Sequence, residues 1–95
     1  MTDETKIVFI GRKPAMSYVL AIITSLSASN AKEITLKARG QAITTAVDVA
    51  EIARNRFLKD LTVSKIAIGT EEMPPREGEN SARMVSTMEI TLSKE

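Results

Sequence analysis

The apolar pattern changes period twice between residues 6 and 39. Lys6 to Ile10 reads KIVFI, a β-rich run that predicts a short buried strand. From Pro14 to about Ser29, Ala15, Met16, Val19, Leu20, Ile22, Ile23 and Leu26 recur at helical spacing, and the stripe fades into a Ser-Ala-Ser-Asn break. Lys32 to Arg39 reads KEITLKAR and alternates strictly. Ile34, Leu36 and Ala38 fall on one side, and Glu33, Thr35, Lys37 and Arg39 form a cationic outer face. Strand, helix and strand in that order make a right-handed crossover between parallel strands. The loops that follow the two strands therefore lie at the same edge of the sheet.

Gly40 ends the second strand, and Gln41 to about Leu58 is helical, with Ala42, Ile43, Ala46, Val47, Val49, Ala50, Ala53 and Phe57 on its apolar face. So many alanines allow a neighbouring element to approach closely. Leu61 to Met73 is a third strand whose phase shifts between Leu61/Val63 and Ile66/Ile68, which predicts a bulge near Ser64. A Pro-Pro-Arg-Glu-Gly-Glu-Asn loop leads into a fourth strand, Arg83 to Lys94, with Met88, Ile90 and Leu92 inward. Residues 1–95 thus form a single domain of order βαβαββ. It is a two-layer α/β sandwich with both helices on one face and a long hairpin made by the last two strands. A ferredoxin-like order would need another strand before the second helix, and the pattern has none.

Residue types narrow the chemistry. The chain has no cysteine and no histidine, which excludes disulfides, thiol nucleophiles, thiolate or imidazole metal sites and a His-based triad. Asp48 and Glu51 share a helical face, but ion pairing with Arg54 accounts for them better than acid/base work does. No enzyme, cofactor or metal is expected. No apolar run approaches a membrane span, and residues 1–10 lack a signal-peptide pattern, so a cytoplasmic location is expected. The five methionines read as core filler. With 3% aromatic residues, stacking of single strands is not expected as the main mode of any nucleic-acid contact.

Charge is informative in its placement rather than its sum. The formal net charge is +1, yet Glu71, Glu72, Glu77 and Glu79 stand against the single Arg76 between Thr70 and Ala82, so the body is basic and one loop acidic. Arg12 and Lys13 directly precede Pro14, a residue type favoured at a first helical position. They therefore sit at the positive end of the helix dipole, where carboxylates are the stabilising choice. The second parallel strand ends the same way, in Lys37-Ala38-Arg39-Gly40-Gln41. Free N–H groups, a positive dipole end and cationic side chains together bind phosphate. One such loop reads as solvated charge, whereas two at equivalent positions favour two phosphates or a phosphate backbone. No mononucleotide or dinucleotide loop motif is present. Arg54-Asn55-Arg56, by contrast, closes the second helix, where cations suit the dipole.

Four stretches carry a family resemblance: IGRKPAMSYVL (10–20), ITLKARGQAI (34–43), AVDVAEIARNRFL (46–58) and VSTMEITL (85–92). They resemble Alba, the small chromatin proteins of archaea, over nearly the whole chain and in the same order. The resemblance implies a fold like the C-terminal domain of translation initiation factor three. It also implies a chromosome-associated homodimer that coats or compacts double-stranded DNA cooperatively, without sequence preference, and that also binds RNA. An RNA-binding protein of RNA maintenance or a ribonucleoprotein is the alternative. In that family a lysine pair before the first helix contacts the phosphate backbone, and its acetylation weakens binding. The pair here is Arg12 and Lys13, which leaves Lys13 as the acetylation candidate and a deacetylase as an implied partner. The family's K-A-R-G-R becomes Lys37-Ala38-Arg39-Gly40-Gln41, with a charge lost at Gln41. Hairpin arms that reach along the minor groove bring in Arg76 and Arg83, alongside glutamates that repel phosphate. Phe57, within Arg54-Asn55-Arg56-Phe57, matches an aromatic through which dimers pack side by side; read from the residues alone it is ordinary core, and the resemblance brings the two readings level.

Overall fold

A computed structural model of the chain describes residues 5–29 and 31–94. Its elements run β1 (Thr5–Phe9), α1 (Ala15–Ala28), β2 (Glu33–Arg39), α2 (Ala42–Ile52), a π-helical turn (Ala53–Phe57), β3 (Leu61–Met73) and β4 (Arg83–Lys94). The strand order is β1-β2-β4-β3, with β1 and β2 parallel and the other pairs antiparallel. This is the expected βαβαββ sandwich with its long β3–β4 hairpin. The expected bulge is present as a register shift between Val63 and Lys65. Asn30, the last residue of the expected break after the first helix, lies outside the described residues.

The core lies between the sheet and the helices. Val19 and Ile22 of α1, Ala46 and Val49 of α2, Ile34 and Leu36 of β2 and Leu92 of β4 are fully buried. Ala46, Ala50 and Ala53 are buried along one stripe, which lets α2 sit close against α1 and β2. No helix among the described residues is long and apolar enough to cross a membrane.

Several local expectations are corrected. Pro14 is extended (ψ 148°) and caps α1, which starts one residue later at Ala15. The second helix does not run as an α-helix to Leu58. It loosens after Ile52 into the π-helical turn, closed by the Leu58 N–H donating to the Ala53 carbonyl at 2.7 Å. KIVFI is not a buried strand. As an edge strand covered on one face only, β1 leaves Ile7 and Phe9 exposed. The outer face of β2 is not wholly solvated either: Thr35 is buried there, its hydroxyl 3.0 Å from that of Thr91 on β4. The methionines are not uniformly core, since Met16 and Met84 are exposed.

Candidate nucleic-acid interface

The parallel pairing of β1 with β2 brings the two cationic loops together, as the crossover requires. Each loop ends at a helix that begins bare. Neither Pro14 nor Gln41 makes a side-chain cap hydrogen bond, and neither α1 nor α2 has an acidic residue in its first turn. Both helix N-termini thus keep their positive ends uncompensated by the protein.

Between these ends and the hairpin arm runs an open groove. Arg12, Lys13, Arg39, Gln41, Arg76 and Arg83 all line it, and no carboxylate of the described residues does. Its volume of about 900 Å³ far exceeds what one phosphate fills. The side chains of Arg12, Lys13 and Arg76 enter no ion pair among the described residues. Nε of Arg83 is buried without a hydrogen-bond partner and lies 4.0 Å from the Glu79 carboxylate. Gly40 turns the second loop with φ +60°, a left-handed conformation suited to glycine, while its N–H donates to the Ser86 carbonyl at 2.9 Å.

Lys37 does not join the groove. It points to the outer face of the sheet, 3.9 Å from the Glu89 carboxylate. Arg39 borders both surfaces and donates to Glu71 on the arm at 2.9 Å. Glu71 of the arm thus holds Arg39, while Arg12 and Lys13 of the first loop and Arg76 of the arm itself enter no ion pair among the described residues.

One expectation about the first loop does not hold. Its amides are not free: the Tyr18 hydroxyl accepts from the N–H of Gly11 at 2.9 Å and of Lys13 at 3.0 Å. Tyr18 is otherwise buried, so one turn of α1 reaches back and fixes the shape of the loop that displays Arg12 and Lys13. The role of Tyr18 escaped the sequence reading. The signal was a tyrosine within a buried stripe, whose hydroxyl must find a partner.

At the other end of the molecule, Arg54 pairs with Glu51 one helical turn earlier, as expected, and among the described residues no such pair involves Asp48. Arg54 and Arg56 occupy the last turn of the π-helical segment, a position that suits the dipole. Phe57 is 48% exposed, which removes the core reading for it.

Comparison with known proteins identifies the family. The family model described as Alba matches residues 6–70. The chain belongs to the Alba family. The "DNA/RNA-binding protein Alba 1" of Archaeoglobus fulgidus is 51% identical over 87 residues, covering 92% of this chain and 93% of that one. The "DNA/RNA-binding protein Alba" of Methanocella arvoryzae is 47% identical over 91 residues, covering 96% and 92% respectively. The solved structure of Alba from Thermoplasma volcanium superposes with a TM-score of 0.84 at 46% identity, over 94% of this chain and all of that one.

Proposed function

We propose that this Alba-family chain binds double-stranded DNA without sequence preference, coating or compacting it as a cooperative homodimer associated with the chromosome. The observation that carries this reading is the groove, where two helix N-termini without side-chain cap hydrogen bonds and five cations converge, with no acid among its described lining residues. Phosphate contacts position a protein on a duplex and carry no sequence information. Arg12, Lys13 and Arg39 grip the backbone, Gln41 adds a neutral donor, and Arg76 and Arg83 contribute from the arm. Lys37 lies round the edge of the sheet and serves a backbone only where the nucleic acid wraps past Arg39. The names of the relatives, which include both DNA and RNA, support an RNA-binding role as the second reading.

Homodimerisation is supported by the inward side of β3. Ile66 and Ile68 stand opposite Ile90 and Met88, on the face the helices cover elsewhere, yet are 60% and 79% exposed. Cooperative packing between dimers falls to Phe57 and its neighbours Arg54, Asn55 and Arg56, which display an aromatic ring beside cations at the end of the second helix. Lys13, exposed and without an ion-pair partner among the described residues, is the proposed acetylation site and the point at which a deacetylase would act.

A salt series on a random-sequence DNA duplex tests the mechanism. If six to eight cations per dimer displace counterions, log affinity falls against log salt with a slope of about −5 to −7. Arg12→Ala/Lys13→Ala removes four of them per dimer and flattens the slope by about 3 to 4. A wild-type slope near zero overturns the phosphate mechanism.

A further inference from the structure

The outer face of the sheet carries a second recess that the phosphate groove does not use. Its lining includes Phe9, Lys37, Arg39, Glu71, Thr87 and Glu89. Phe9 of β1, Lys37 of β2 and Glu89 of β4 stand in one cross-strand row, because Phe9 pairs with Lys37 and Lys37 with Glu89. Phe9 is 73% exposed, a flat aromatic ring held on a strand rather than a loop. The recess measures about 480 Å³, within the usual range of small-ligand sites, about 300–1,000 Å³.

Its electrostatics differ from those of the groove in a way that selects the ligand. The groove has Arg12, Lys13 and Arg76 without an ion-pair partner among the described residues, whereas here Lys37 is matched by Glu89 and Arg39, which borders both surfaces, by Glu71. A balanced face of this kind has little to offer a regular lattice of phosphates. It has what a nucleobase needs: a ring to stack on, carboxylates that accept from amino and imino N–H groups, and a hydroxyl at Thr87. A four-stranded sheet with exposed aromatics is a known platform for unpaired bases of RNA. The recess also adjoins the groove, with Ile10 and Arg39 lining both. A strand whose phosphates lie in the groove would pass its next nucleotide over Arg39 towards Phe9.

We infer that the outer face binds an unpaired RNA base, stacked on Phe9, with the Glu89 carboxylate and Thr87 hydroxyl at its polar edge and Lys37 and Arg39 beside its phosphates. RNA is the source because its bulges and loops present unpaired bases next to duplex stems, the combination that the two adjoining surfaces accept. The inference rests on the nucleic-acid reading of the groove and adds to it a means of telling an interrupted RNA stem from a regular duplex.

The test uses the full chain and two RNA duplexes of equal length, one fully paired and one with a single bulged 2-aminopurine. The wild type is expected to bind the bulged duplex about tenfold more tightly, the order of one base stacking on an aromatic side chain, and to quench the fluorescence of the bulged base. Phe9→Leu keeps an apolar strand residue. It is expected to abolish the quenching and the preference while leaving affinity for the paired duplex unchanged. Arg12→Ala/Lys13→Ala is expected to weaken binding to both duplexes alike. Equal wild-type affinity for the two duplexes, or a preference that survives Phe9→Leu, overturns the base site alone. Binding to neither overturns the groove reading together with it. The same preference for a DNA duplex with the same bulge overturns the assignment to RNA.

Discussion

The guanidinium of Arg39 donates to the carboxylate of Glu71 across 2.9 Å, and both side chains are about half exposed. Arg39 borders the cationic groove, so a phosphate arriving there competes with a carboxylate already in place. An ion pair this exposed is worth about 0.2–1 kcal/mol. Glu71→Gln should therefore raise affinity for a DNA duplex by roughly two- to fivefold and leave the fold intact. Titrations of the variant and wild type at one low salt concentration measure it. Unchanged or weaker binding would show that Arg39 does not reach the nucleic acid.

Tyr18 offers a stability test that also reads function. Tyr18→Phe keeps the buried ring and deletes the oxygen that accepts from Gly11 and Lys13. Each hydrogen bond contributes about 0.5–1.5 kcal/mol net, and because the loop is exposed, water takes over part of the loss. A total near 1 kcal/mol is expected, lowering Tm by about 4–8 °C for a domain of this size. Duplex affinity should fall a further few-fold at temperatures where the variant is fully folded, because Arg12 and Lys13 lose their fixed presentation. A melting curve and a titration below the transition separate the two effects.

Gly40 isolates a backbone contribution. Its φ of +60° is left-handed, and a Cβ added there would lie 3.6 Å from Cγ1 of Val85, an ordinary contact. Space is available, so the cost of Gly40→Ala is conformational alone, about 1–2 kcal/mol. Gly40→Asn should cost less, since asparagine tolerates that conformation better. Denaturant midpoints of the three proteins should rank glycine, asparagine, alanine.

How much of this was legible beforehand depends on the range of the interaction. The strand–helix–strand run, the Ser64 bulge and the shared edge of the two cationic loops follow from local period and crossover handedness, both carried by contiguous residues. The helix starts were legible to within one residue, because Pro14 suits either a cap or a first-turn position. What escaped depends on distant partners. The burial of Thr35 needs Thr91, its partner on the neighbouring strand β4 and far along the chain, and the pairing of Arg39 needs the register that carries the arm past β2. The exposure of Phe9 and Phe57 was hidden because an apolar residue at the right period looks the same whether or not another element covers it. Tyr18 combined both difficulties, lying in a core stripe while its hydroxyl reaches back seven residues to Gly11.

The same ambiguity between covered and uncovered apolar faces gives the strongest test of assembly. Ile66 and Ile68 are exposed in a single chain but sit on the inward side of β3, beyond the reach of both helices. If a second copy covers them, Ile66→Asp/Ile68→Asp places four charges in one dimer interface, where each unpaired charge is costly to bury. If nothing covers them, both substitutions are surface changes, each within about 0.5 kcal/mol of neutral. Sedimentation velocity should show the wild type as a dimer and the variant as a monomer with unchanged circular dichroism. The variant should also bind duplex DNA with a markedly shallower salt dependence, because each binding unit then carries half the cations. A wild type that sediments as a monomer at concentrations where it binds DNA would remove the dimer from the mechanism and leave the groove to act alone.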